Sequence, residues 1–77
     1  MAKKAKKEKS NLNRLRIVLA ERSKSNRWLA DQLAVTEGTV SKWVTNTHQP
    51  SLETLYDISV IFGIDIHELI EYTLPKK

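Results

Sequence analysis

An all-α fold of five short helices is what this 77-residue chain predicts, and three observations carry that expectation. Apolar residues recur at three- and four-residue spacing along most of the chain, and nowhere in the strict alternation of a half-buried strand. Residues suited to helix N-caps stand immediately before the successive apolar stripes, at Ser25, Thr36, Ser51 and Asp65. Pro50, Gly63 and Pro75 fall between or after those stripes, where they end helices rather than interrupt them.

Residues 1–10 are almost wholly Lys, Ala and Glu with nothing to pack, and they read as a disordered basic arm; residues 11–74 read as the folded domain. Leu12, Leu15, Val18 and Leu19 predict a first helix of about three turns that ends at Ser23-Lys24. Ser25 caps a second helix, from Asn26 to Ala34, which buries Leu29, Ala30 and Leu33 and leaves Trp28 half-buried beside them. Thr36 caps a third, over residues 37–45, with Val40, Trp43 and in part Val44 inward and Glu37, Gly38, Ser41 and Lys42 outward. Aromatic residues at helical spacing are core residues first, so Trp43 is expected inside rather than stacked on a ligand. The polar run Asn46-Thr47-His48-Gln49 before Pro50 is a loop. Ser51 caps the fourth helix, whose core side is marked by Leu52, Leu55, Ile58 and Phe62 and whose left-handed C-terminal cap falls on Gly63. Asp65-Ile66-His67-Glu68 reads as a capping box that opens a short fifth helix, burying Leu69 and ending before Pro75.

Composition narrows the functions open to the chain. At 77 residues and 8.9 kDa there is room for one domain. A domain this small buries only roughly 60% of its unfolded surface, so pairing of two copies is an expected source of stability. There is no cysteine, and His48 and His67 stand 19 positions apart without a companion ligand, so no disulfide, metal or other cofactor is expected. No apolar run reaches the roughly 18 residues of a membrane span, and the lysine-rich start lacks a signal peptide's apolar stretch, so the expected location is the cytoplasm.

The net charge of +4 is unevenly placed. Lys3, Lys4, Lys6, Lys7 and Lys9 against Glu8 make the arm strongly basic, and residues 11–45 carry six cationic against three acidic side chains. Residues 46–75 carry five acidic side chains and no lysine or arginine, so one half suits a polyanion and the other is repelled by it.

Two short helices joined by three or four residues, the second with a small polar outward face, have the geometry that lets one helix enter the major groove of DNA while the other braces it. The residues Leu29-Ala30, Leu33, Val35-Thr36, Thr39-Val40-Ser41-Lys42, Pro50-Ser51-Leu52-Glu53-Thr54-Leu55, Ile58 and Phe62-Gly63-Ile64 resemble, as a set, the helix-turn-helix family of the lambda and 434 repressors and the Cro proteins. That resemblance, to the xenobiotic-response-element type of domain, implies a lambda-repressor-like five-helix fold in which helices two and three form the motif. It also implies a bacterial, dimeric regulator of transcription that binds a palindromic operator. The family commonly has a glycine in the turn where this chain has Ala34, and a buried arginine–glutamate pair where it has Leu19 and Val44. Loss of both charges together avoids stranding one of them, and Leu19 and Val44 are expected to touch.

On this reading Glu37, Gly38, Ser41 and Lys42 read bases. Lys42 can donate to guanine O6 and N7, Glu37 can accept from cytosine N4, and Gly38 lets backbone approach a base edge. Asn26, Arg27, Thr36, Thr39, Thr45 and Thr47 are the expected phosphate contacts, Asn26 with the positive end of helix two behind it. The lysine arm should add affinity without specificity. Tyr56 and Val60 on helix four, with Ile66 and Ile70 around helix five, form the expected surface for a homodimer. A catalytic reading has no nucleophile–base pair to rest on. The rival is a protein-binding adaptor, coactivator or antitoxin built on the same fold, which would grip a partner protein tightly without salt-sensitive affinity for duplex DNA.

Overall fold

The computed structural model describes residues 12–71. Four α-helices follow one another, α1 (Leu15–Glu21), α2 (Asn26–Leu33), α3 (Glu37–Val44) and α4 (Leu52–Phe62), and a single 3₁₀ turn, Ile66–Leu69, takes the place of the expected fifth helix. The proposed arm and the end of the chain before Pro75 lie outside the described residues.

Each of the five elements contributes one fully buried side chain: Leu15, Leu29, Val40, Ile58 and Leu69. Burying a side chain of this size contributes roughly 1.5–3 kcal/mol. Truncating one to Ala costs about 2–5 kcal/mol, a large part of the roughly 5–15 kcal/mol that holds a domain folded. Trp43 is buried beside them as expected, and Trp28, Leu33, Val44, Leu55 and Phe62 pack half-buried against this centre, to which Leu19 also belongs.

The helix ends share one solution. Ser23, Ala34, Asn46 and Gly63 all adopt left-handed backbone, with φ of 57°, 60°, 61° and 66°. In each case the next residue donates its N–H back five positions: Lys24 to Leu19 O at 2.9 Å, Val35 to Ala30 O at 3.0 Å, Thr47 to Lys42 O at 2.9 Å and Ile64 to Ser59 O at 3.0 Å. These bonds satisfy carbonyls that a helix end otherwise leaves without partners. At the other ends Ser25, Thr36 and Ser51 cap α2, α3 and α4 by accepting the N–H groups of Trp28, Thr39 and Thr54.

Three further expectations are corrected. The first helix begins at Leu15, not Leu12, because residues 12–14 are tied to the far end of the domain: Arg14 N–H donates to Leu69 O at 2.9 Å and Glu71 N–H to Leu12 O at 2.8 Å, with an isolated antiparallel bridge between Asn13 and Ile70. Leu52 is 72% exposed instead of facing the core. At about 100° per residue it lies roughly 120° around α4 from Ile58 and close to the outward-facing Tyr56. Ser59 occupies the buried face instead, its hydroxyl donating to Tyr56 O at 2.6 Å. The predicted capping box is not formed: Asp65 Oδ1 accepts the N–H of His67, while Glu68 N–H goes to the Asp65 carbonyl in the tighter 3₁₀ spacing.

Candidate nucleic-acid interface

The surface is built on α2, the three-residue turn Ala34–Thr36 and α3. Val40 and Trp43 anchor α3 inward, so the opposite side of this two-turn helix is presented outward. Glu37, Gly38 and Lys42 are exposed there, whereas Ser41, expected beside them, is half-buried. Gly38 has ample room, with the nearest atom to a Cβ placed on it being Thr36 Oγ1 at 4.0 Å, so the helix itself does not require glycine at this position. A glycine in a helix interior costs roughly 0.5–1 kcal/mol relative to alanine, which leaves close approach by an outside partner as a reason for its presence.

Two threonine pairs flank that face. Thr36 Oγ1 and Thr39 Oγ1 stand 2.9 Å apart at the start of α3, and Thr45 Oγ1 and Thr47 Oγ1 stand 2.9 Å apart just beyond its end. Thr45 Oγ1 also donates to Ser41 O at 3.0 Å. A hydroxyl carries a single hydrogen, so when Thr47 donates to Thr45 and Thr45 to Ser41, neither has a hydrogen left for an outside acceptor. Rotation of Thr45 toward Thr47 releases the hydrogen of Thr47, whereas in the first pair one hydroxyl donates to the other and the hydrogen of the second remains free. Thr36, Thr45 and Thr47 are exposed and Thr39 is half-buried.

At the start of α2, Asn26 is half-buried and Arg27 exposed. The N–H of Trp28 is taken by Ser25 Oγ, and the first N–H groups of the helix have no acceptor within it. Just before them, Lys24 Nζ lies 4.6 Å from the Trp28 ring and the Arg22 guanidinium 5.6 Å from Phe62, whose ring centroid is 5.7 Å from that of Trp28. This stack fixes the link between α1 and α2 and keeps its two cations near the start of α2. Arg14 is engaged elsewhere, 3.7 Å from Glu71 and donating to Glu68 O.

The decisive comparison is with protein families: residues 14–75 match the Cro/C1-type HTH DNA-binding domain. The chain belongs to that family. A crystal structure of "a putative DNA-binding protein from Bacteroides fragilis" is also similar, with 43% sequence identity and a TM-score of 0.76 over 78% of this chain and 97% of the other. No curated protein matches.

For a Cro/C1-type domain, the feature that sequence reading missed is a set of three amides behind the end of α3. Asn13, Asn46 and Gln49 hydrogen-bond one another, and Asn13 is buried. Their separations of 33 and 36 positions leave no trace in local spacing. The left-handed Asn46 directly after a helix was the one available signal.

Proposed function

We propose that this Cro/C1-type domain is a sequence-specific regulator of transcription that acts as a repressor, with α3 in the major groove of a palindromic duplex operator. The observation that carries the reading is the exposure of Gly38 and Lys42 on the side of α3 opposite Val40 and Trp43, with Glu37 exposed in its first turn. Lys42 donates to a guanine, Glu37 accepts from a cytosine amino group, Ser41 supports them from its half-buried place, and Gly38 admits a base edge to the backbone. Asn26, Arg27 and the threonines at 36, 39, 45 and 47 hold phosphates on either side, and they set register rather than sequence preference. The lysines of residues 1–10 add salt-sensitive affinity.

A second copy meets the first through α4. Leu52, Tyr56 and Val60 recur every fourth residue and are 72%, 61% and 60% exposed, a continuous apolar ridge on the acidic half of the molecule. Ile66 and Ile70 take less part than the sequence suggests, because both are half-buried, Ile66 against the core and Ile70 in its bridge to Asn13.

Selection of bound sites from random duplex DNA tests the reading. Enrichment of an inverted repeat with half-sites about one helical turn apart, and affinity that falls steeply with salt, is the expected result. No enrichment, together with a tight complex with another protein, would favour the adaptor reading instead.

A further inference from the structure

The C-terminal end of α3 is held by a chain segment far away in sequence. Asn46 Oδ1 accepts the backbone N–H groups of Leu12 at 2.9 Å and Asn13 at 3.0 Å, and the Gln49 amide at 3.1 Å. Its Nδ2 donates to Asn13 O at 3.3 Å. From the other side Asn13 Nδ2 donates to Trp43 O at 2.9 Å and to Gln49 Oε1 at 2.8 Å, while its Oδ1 accepts the N–H of Leu15 at 3.0 Å. Trp43 O belongs to the last turn of α3, and Asn13 is only 6% exposed. The left-handed backbone at Asn46 would suit glycine better, so the backbone alone does not account for an amide there.

We propose that Asn13 and Asn46, joined by Gln49, are positioning residues for DNA reading: the amide clasp fixes where the end of α3 lies, and with it the register between Lys42 and the Thr45–Thr47 pair. The inference rests on the DNA-binding function proposed above. Lys42 O accepts the N–H groups of both Thr47 and His48, so the base-reading side chain and the threonine pair belong to one hydrogen-bonded unit, and the clasp is what anchors it. Base contacts need strict geometry, whereas phosphate contacts carry no sequence information and tolerate small displacements. Loosening the clasp therefore lowers discrimination before it lowers general affinity. Asn13 is too deeply buried to touch DNA, so any loss of discrimination on its replacement must pass through α3.

The test compares Asn13→Ala, Asn46→Gly and Asn46→Asp in the full chain on a selected duplex and a scrambled one. All are measured at one salt concentration and at a temperature where circular dichroism shows every variant folded. Asn13→Ala and Asn46→Gly are expected to reduce the ratio of specific to non-specific affinity by about tenfold, the scale of one base contact, with non-specific binding nearly unchanged. Asn46→Asp keeps the acceptor oxygen for Leu12, Asn13 and Gln49, so its ratio stays near that of the unaltered chain even though the added charge weakens binding to both duplexes. If Asn13→Ala does not fold, Asn46→Gly carries the test, since glycine adopts the same backbone. An unchanged ratio for Asn13→Ala and Asn46→Gly, whether or not both duplexes are bound more weakly, would overturn the positioning role and leave the DNA-binding reading intact. An unaltered chain that prefers no duplex would overturn both.

Discussion

Val35 donates its backbone N–H to Ala30 O at 3.0 Å, and it reaches that carbonyl because Ala34 between them is left-handed, at φ 60°. This is the turn that sets α3 against α2. A Cβ in that backbone region costs on the order of 1 kcal/mol, which glycine does not incur. Ala34 is exposed and its methyl lies outside the core, so little packing is lost on removing it. Ala34→Gly is expected to stabilise the domain by about 1 kcal/mol, a rise of roughly 4–8 °C in melting temperature. A clear fall in a thermal melt would mean that the alanine methyl contributes more than its strained backbone costs.

The same comparison shows what was legible in the sequence. Gly63 and Ala34 were readable as left-handed ends, one from residue type and the other from the resemblance; Asn46 offered a weaker signal, because asparagine tolerates that backbone without demanding it, and Ser23 offered none. The N-caps Ser25, Thr36 and Ser51 could be read because they act within three residues of themselves. What escaped was non-local. Leu12 has the right spacing for α1, but bonds with Leu69, Glu71 and Asn46, all more than thirty positions away, hold residues 12–14 out of the helix. Leu52 fits an apolar pattern whose phase drifts over two turns, and only the packed Ile58 and Ser59 show which way α4 faces. On α3 the outward positions of Glu37, Gly38 and Lys42 followed from the inward ones, whereas the half-burial of Ser41 depended on neighbours that periodicity does not reveal.

Asp65 makes stability depend on acid pH in a direction that can be worked out. The backbone hydrogen bond from His67 holds its carboxyl below the ordinary value of 3.8, outweighing the opposing effect of desolvation, with lesser help from the His67 ring. The folded state therefore releases the Asp65 proton more readily than the unfolded chain does. The resulting stabilisation is complete above the unfolded value and is lost as pH falls below about 4 through the folded one. Asp65→Asn keeps an oxygen for the His67 N–H but removes the charge. Urea denaturation midpoints measured between about pH 2 and 6 should fall less steeply on the acid side for this variant. Parallel curves would show that the carboxylate at this turn is not linked to folding.

The apolar ridge on α4 yields a prediction about assembly. Leu52, Tyr56 and Val60 are the most exposed large apolar side chains on that helix, and Glu53 and Asp57 beside them are exposed as well. In the dimer proposed above, the ridge would meet its own copy about a two-fold axis with the carboxylates at the rim, where their repulsion is screened by water and salt. Val60→Glu places a charge in the middle of that contact while leaving the core untouched. Sedimentation at micromolar concentration should show dimers of the unaltered chain and folded monomers of the variant, with a melting temperature lowered only by the stabilisation that pairing supplies. A monomeric unaltered chain would place pairing on the DNA rather than in solution.

The reading helix gives the sharpest test, because its two charged side chains should fail in opposite ways. Glu37 lies in the first turn of α3, directly after its Thr36 cap, and Lys42 is in the last turn. Lys42→Ala removes the donor proposed to meet guanine and is expected to lose roughly 1–3 kcal/mol on a selected site and much less on scrambled DNA. A carboxylate facing DNA repels phosphate, so in the proposed complex Glu37 would favour discrimination over affinity. Glu37 also complements the positive end of the helix, an effect worth at most about 1 kcal/mol at an exposed site. Glu37→Gln should therefore bind both duplexes more tightly, tolerate more bases at one position of the site, and lower the melting temperature only slightly. Equal losses on both duplexes for Lys42→Ala would reduce that lysine to a phosphate contact. An unchanged base preference for Glu37→Gln would leave Glu37 as a residue that serves the helix end and nothing on the DNA.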